Sequence, residues 1–274
     1  MIDVNRRVLP GFSLTLGYTL LYMSLLVAVP LGAGFLKASN LSLDAFWHAV
    51  SSERAVAAYS LTVGASFVSA LINVVLGAVV AWVLVRYEFP LKSLLDSLVD
   101  LPFALPTAVA GLVYSNLFVA SGWYGRFLVP LGIEVAYSRL GIVLVLVFIG
   151  FPFVVRTLQP VLEGLDKDVE EAAACLGAGR FETVRRVVIP AILPAVVTGF
   201  ALSFARALGE YGSVVFISGN MPFKTEIAPV LIVARLEEFA YTEATAIAVV
   251  LLAISFVTLL AINLLERWSK RNHG

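Results

Sequence analysis

The chain has 274 residues, of which 60% are hydrophobic and 14% charged, with a mean hydropathy of +0.94. A soluble domain needs more polar surface than this, so lipid is the expected solvent. Nineteen basic residues balance nineteen acidic ones, which leaves no excess of positive charge for a nucleic-acid partner. The lone cysteine, Cys175, and the distant histidines His48 and His273 offer neither an intramolecular disulfide nor a zinc-type ligand set, so no metal is expected.

Six apolar runs follow one another, at about residues 12–36, 55–85, 93–120, 140–162, 191–217 and 244–265. Backbone polar groups cannot stay unpaired in hydrocarbon, and runs this long lack the alternation of barrel strands. The expected fold is therefore an all-α integral membrane bundle of about six transmembrane helices, read as one domain over 1–274. The first run exceeds the roughly 7–15 apolar residues of a cleaved signal and suffices for a span of roughly 20 residues. Trp47, in the loop at 38–54, reads as an interfacial anchor. Asn40-Leu41-Ser42 matches a glycosylation sequon by chance. Gly64, Ala65, Ser66 and Ser69 in the second run suit close helix packing.

The third run contains Asp96 and the sequence Asp100-Leu101-Pro102-Phe103-Ala104-Leu105-Pro106. Pro102 and Pro106 can bend the helix and free backbone groups toward a cavity. Asp100, Pro102 and Pro106 are either parts of a structural kink or, with the fifth run, parts of a gate. Asp96 and Asp100 would repel an anion in a pore, so they are expected to pair with bases or cap backbone. Residues 121–139 read as an irregular outer loop.

The longest polar stretch, 163–190, predicts a helix over 168–176. Asp168 is placed as its cap, and Glu170 and Glu171 in its first turn complement the helix dipole. Ala172, Ala173 and Ala174 leave a smooth face, and Gly177 and Gly179 allow a sharp exit. A second short helix is predicted over 181–188, with Arg185 and Arg186, and Pro190 opens the next span. In the fifth run Arg206 and Glu210 sit four residues apart on one helix face. They read either as a structural ion pair or with Arg206 attracting an anion on the transport path. The loop at 218–243 carries Glu226, Glu237, Glu238 and Glu243.

Placing both termini in the cytoplasm puts twelve basic residues inside, six outside and Arg206 within a span, accounting for all nineteen. The positive-inside rule favours that orientation and puts 163–190 on the cytoplasmic face.

The order Glu171-Ala172-Ala173, three residues, Gly177, nine residues, Val187-Val188-Ile189-Pro190 resembles the EAA loop of bacterial ABC importer permeases. Val187 and Ile189 replace the usual Ile and Leu. The resemblance implies a type I importer permease in which Glu171, Ala172, Ala173, Gly177, Ala178, Gly179 and Arg180 contact a separate ATPase. The chain has no G-x-x-x-x-G-K-[ST] phosphate loop, so ATP and Mg would be used by that partner and no cofactor by this chain. Residues 9–31, 98–112 and 204–250 are similar to the T-type permease subunits of sulfate/thiosulfate importers. Molybdate and tungstate permeases share part of these blocks and form the alternative. The resemblance implies a multi-pass protein of the bacterial inner membrane that moves the oxyanion by alternating access. Its partners would be a W-type homologous permease or a second copy, two ATP-binding subunits and a periplasmic sulfate/thiosulfate-binding protein. A stand-alone secondary transporter would show inverted repeats or deep charges in several spans. An intramembrane enzyme would need a constellation that spans without His or Cys do not supply.

Overall fold

The computed structural model describes residues 12–271, apart from the side chains of Lys167 and of residues 265–271. Arg6, Arg7 and the side chains of Arg267, Lys270 and Arg271, which carry part of the orientation argument, lie outside the described residues.

Helix α1 (Phe12–Ala38) is the first span, and the short α2 (Leu43–Val50) follows it. Ser42 caps α2, accepting from the Ala45 N–H. Ser52 likewise caps α3 (Glu53–Arg86), the second span, accepting from the Ala55 N–H. The third apolar run is not one helix. It breaks into α4 (Lys92–Val99), α5 (Leu101–Ala104) and α6 (Thr107–Phe118). A short α7 (Gly125–Leu128) lies in the irregular stretch before α8 (Arg139–Glu163). Then come α9 (Lys167–Cys175), α10 (Arg180–Leu208), α11 (Val214–Ile217), α12 (Ala228–Glu237) and α13 (Tyr241–Arg271). Among the described residues five helices, α1, α3, α8, α10 and α13, are long and apolar enough to cross a membrane, and the broken α4–α6 segment accounts for the third run.

Two segments depart from the sequence expectation. The predicted helix over 181–188 is no separate element; it is the start of α10, so the polar link between α9 and α10 shrinks to 176–179. Pro190 does not stop this helix because the π-helical turn Val184–Val188 precedes it. Proline lacks an N–H and clashes with the carbonyl four residues back, and a widened turn relieves both demands. Pro30 in α1 follows the π turn Ser24–Ala28 in the same way. The fifth run, expected unbroken to 217, instead ends as a helix at Leu208 and resumes as α11.

In lipid, helices gain little from hiding apolar surface from one another, so close packing and polar contacts must hold them. The centre is the trio α3, α8 and α10, which meet through small residues. A Cβ on Gly77 of α3 would lie 2.8 Å from Val154 Cγ1 of α8, and one on Gly199 of α10 would lie 3.2 Å from Val154 Cα. Gly150 of α8 faces Asn73 and Ser203, whose side chains hydrogen-bond at 3.0 Å between α3 and α10. Ala65, Ser66 and Ser69 are buried as expected of a packing face, but Gly64 has nothing within 4 Å and opens onto a groove. Around the trio, α13 packs on α10 and α12, with α1 and α2 against it, while α4, α5, α6 and α11 line α8.

Candidate functional site

Helix α9 starts after Asp166, not with Asp168 as its cap. Asp168 and Glu170 occupy the first turn, and Asp166 makes no side-chain capping bond. The helix ends in a Schellman motif: Gly177 N donates to Ala174 O and Ala178 N to Ala173 O, both at 3.0 Å. This turn requires the left-handed conformation at Gly177, where φ is +85°. Gly179 is extended and serves as the N-cap position of α10. Between α9 and the start of α10 lies a groove of about 310 Å³, lined by Ala173, Leu176, Gly177, Ala178 and Thr183 among others. Leu176 is 89% exposed and Phe181 79%, and Glu171, Ala172 and Arg180 are exposed as well. Large apolar side chains held out on a small-residue helix make an interaction surface rather than part of the chain's own core.

The adjacent acids Glu170 and Glu171 of α9 point in different directions. Glu171 is exposed. Glu170 turns inward, where its Oε1 accepts from Arg86 Nη2 at 2.6 Å, and the same Arg86 nitrogen donates to Leu165 O at 3.0 Å. Arg86 ends α3 and lies over the Trp82 ring, 5.5 Å from its centroid. The α9 surface is thus tied to its own bundle without being covered by it.

The gate candidates lie in the two broken runs. Pro102 occupies the first turn of α5, and Pro106 is the N-cap of α6. Leu105 is held extended at ψ 132°, as the residue before proline prefers. Beyond α10, Glu210 is 2% exposed and closes the break after Leu208. Its Oε1 accepts from Ser213 N at 2.9 Å and from Ser213 Oγ at 3.0 Å, while Oε2 pairs with Arg206 Nη1 at 2.6 Å. The two breaks touch. A Cβ on Gly111 of α6 would collide with Ser213 backbone, and one on Gly212 would collide with Thr107 Oγ1.

Asp96 and Asp100 pair with a base, as anticipated, and the base is Arg156 of α8. Arg156 Nε and Nη2 donate to the Asp100 carboxylate at 2.8 and 2.6 Å, a bidentate pair. Nη1 reaches Asp96 Oδ1 and Gln159 Oε1, each at 2.6 Å, and Nη2 reaches Asp96 O at 2.8 Å. This fixes the first half of the broken third run against α8, so Asp100 is anchored while Pro102 and Pro106 shape the break. Sequence reasoning missed Arg156, Arg86 and the Arg54–Glu226 pair, whose two hydrogen bonds measure 2.8 and 2.7 Å. The one signal for Arg156 was a base inside the fourth apolar run, with the acids Asp96 and Asp100 of the third run needing a partner.

A helical bundle that presents an exposed, glycine-terminated helix at one end and carries two broken helices in contact inside is the membrane component of a transport system. The chain belongs to the family of binding-protein-dependent transport system inner membrane components, which matches over residues 73–271. It is 50% identical over 271 residues to the sulfate transport system permease protein CysT of Salmonella typhimurium, covering 98% of both chains. It is 48% identical to the Escherichia coli protein of that name over 98% of each chain, and 50% identical to the Synechocystis one over 92% of this chain and 88% of that one. Among solved structures, a bacterial ABC transporter that imports alginate matches with TM-score 0.77 at 15% identity, covering 93% of this chain and 94% of that one. The MetNI methionine ABC transporter matches with TM-score 0.58 at 19% identity, covering 84% and 99%. The fold is that of an ABC importer permease, and the chain is a multi-pass membrane transport subunit.

Proposed function

We propose that this chain is the T-type permease of a sulfate importer of the bacterial inner membrane, driven by a separate ATPase that docks on α9. The observation that carries the coupling is the exposed α9 with its Gly177 turn, the flanking groove lined by Leu176, and the exposed Phe181 nearby in sequence. A helix in a groove is a recurrent docking mode, and apolar anchors ringed by polar residues supply most of its affinity. The choice of sulfate is supported by CysT relatives that align with nearly the whole chain. The EAA loop then faces the cytoplasm, as do both termini. Two ATP-binding subunits that use ATP and Mg sit beneath this chain and a W-type homologue, or beneath two copies of it. A periplasmic binding protein delivers the anion from the other side.

The mechanism follows from the continuity of α10. Its first turns border the docking groove and its last turn bears Arg206, so a push on the groove travels along 29 residues of unbroken helix. The push arrives at the Glu210 staple and the 209–213 break, which rests on the break before α6. Moving one break over the other opens or closes the path on one side at a time. Arg206, 33% exposed at its side chain, is the residue there that presents positive charge to a dianion, while Glu210 holds the turn. The test is uptake of radiolabelled sulfate into vesicles holding the permeases, ATPase and binding protein. Uptake that needs ATP and is competed by unlabelled sulfate supports the reading. Uptake competed by molybdate but not by sulfate moves the assignment to molybdate, and uptake without the ATPase overturns it.

A further inference from the structure

Helix α3 is tied to other elements chiefly at its ends. Its two ends carry charged contacts, and its middle carries almost none. At one end Arg86 grips Glu170 of α9 and the Leu165 carbonyl. At the other, Arg54 makes a two-point contact with Glu226, in the segment that leads into α12. Two more bonds reinforce that second end: Thr62 Oγ1 accepts from Ala228 N at 2.8 Å, and Met221 N donates to Thr225 Oγ1 at 3.0 Å within the segment itself. Arg86 and Glu226 are almost fully buried, at 9% and 3% side-chain exposure, so neither contact is a loose surface pair.

The middle contrasts with this. Ala65, Ser66, Ser69, Ala70, Asn73 and Gly77 face α8 and α10, and none has a long side chain to interlock. Among the described residues, one side-chain hydrogen bond leaves this stretch for another helix, Asn73 Nδ2 to Ser203 Oγ. Ser66 Oγ and Asn73 Oδ1 are buried without a partner, so no directional bond at those atoms resists an axial shift. A helix of 34 residues rises about 50 Å, enough to cross the bilayer.

We propose that Arg86 and Arg54 are positioning residues that latch the two ends of α3, so that this helix acts as a rod carrying the movement of α9 to the segment around Glu226 on the opposite side of the membrane. The inference rests on the importer reading above. It adds a second line of transmission beside α10, one that reaches the face where a binding protein would dock. Arg86 Nη2 serves both α9 and the turn before it, so displacing α9 pulls directly on the end of α3. Arg54 then draws Glu226 and, through Thr62, the start of α12.

The experiment uses the full complex in nanodiscs, with Arg86→Gln, Arg54→Gln and both together, and reads ATP hydrolysis with and without the liganded binding protein. Each single variant should retain the ATPase subunit and lose about tenfold in stimulated hydrolysis, within the 5–150-fold typical of coupling between sites. Sites this far apart ordinarily act independently, so their effects multiply. A rod breaks once: the double variant should match the worse single one. A double variant down about a hundredfold, or single variants equal to wild type, would overturn the rod. If Arg86→Gln sheds the ATPase, Arg86→Lys, whose ammonium keeps donors for both Glu170 and the Leu165 carbonyl, replaces it. It should restore stimulation to within about threefold of wild type, and failure to do so in an assembled complex rejects the latch. A wild-type complex inert to ATP would remove the importer reading and the rod together, whereas an active wild type with unaffected variants removes the rod alone.

Discussion

Replacing Gly111 with alanine tests whether the two broken runs are pressed together as described. The added Cβ would lie 2.7 Å from Ser213 Cα and 2.8 Å from Ser213 C, and closer still to the Ser213 carbonyl oxygen. All three atoms are backbone, and Ser213 is pinned by Glu210, so no side chain can swing aside. Overpacking costs about 1–3 kcal/mol, and backbone obstruction puts Gly111→Ala at the upper end, about 3 kcal/mol. Gly212→Ala differs in kind, since its Cβ meets the Thr107 hydroxyl, which can rotate, and next the Ala108 nitrogen at 3.5 Å. It should cost about 1 kcal/mol and be relieved by Thr107→Ala. Gly64→Ala is the control, because no atom lies within 4 Å of the new methyl. Thermal inactivation of the purified complex, followed by loss of ATP-dependent uptake, should rank Gly111→Ala worst, Gly212→Ala next and Gly64→Ala near wild type. Equal tolerance of Gly111→Ala and Gly64→Ala would refute the contact between the breaks.

Three further outcomes follow from the same contacts. Arg156→Gln leaves the Asp96 and Asp100 carboxylates without their base; because these groups are 32–47% exposed, the loss is about 1–2 kcal/mol, below the 3–5 of a fully buried pair. Adding Asp96→Asn and Asp100→Asn to it should recover much of that stability in a melting assay. Phe181→Asp with Leu176→Asp should weaken capture of the ATPase subunit by about 30-fold or more, the size of an interface hot spot, while leaving the purified permease folded. Gly177→Val forces a β-branched residue into the left-handed region at a cost of about 1–2 kcal/mol, whereas Gly177→Asn should be tolerated, and uptake by the two variants tells them apart.

Much of the bundle was legible because lipid leaves few options. Long apolar runs must be helices, and the first, second, fourth and sixth runs lie close to the helices found. The α9 turn was legible too, since Gly177 stands where an alanine-rich helix must reverse. Proline was the ambiguous letter. Pro106 ends one helix and caps the next, while Pro190 sits undisturbed inside α10 because a π turn precedes it. Nothing local distinguishes those two outcomes. The break after Leu208 was missed for a similar reason: Glu210 looked like half of an i, i+4 pair, and its second role as acceptor for Ser213 needs the turn to exist first. Contacts such as Arg156 with Asp100, or Arg86 with Glu170, join residues 56 and 84 positions apart, beyond any periodic reading of the chain.

Coupling requires the α9 surface to face the cytoplasm and to be covered by the ATPase, and the chain carries its own probe. Cys175 is the sole cysteine, exposed at the end of α9. A membrane-impermeant maleimide should label it in inside-out vesicles but not in right-side-out spheroplasts, and bound ATPase subunit should protect it. Labelling from the outer face, or labelling undiminished by the ATPase, would contradict the account.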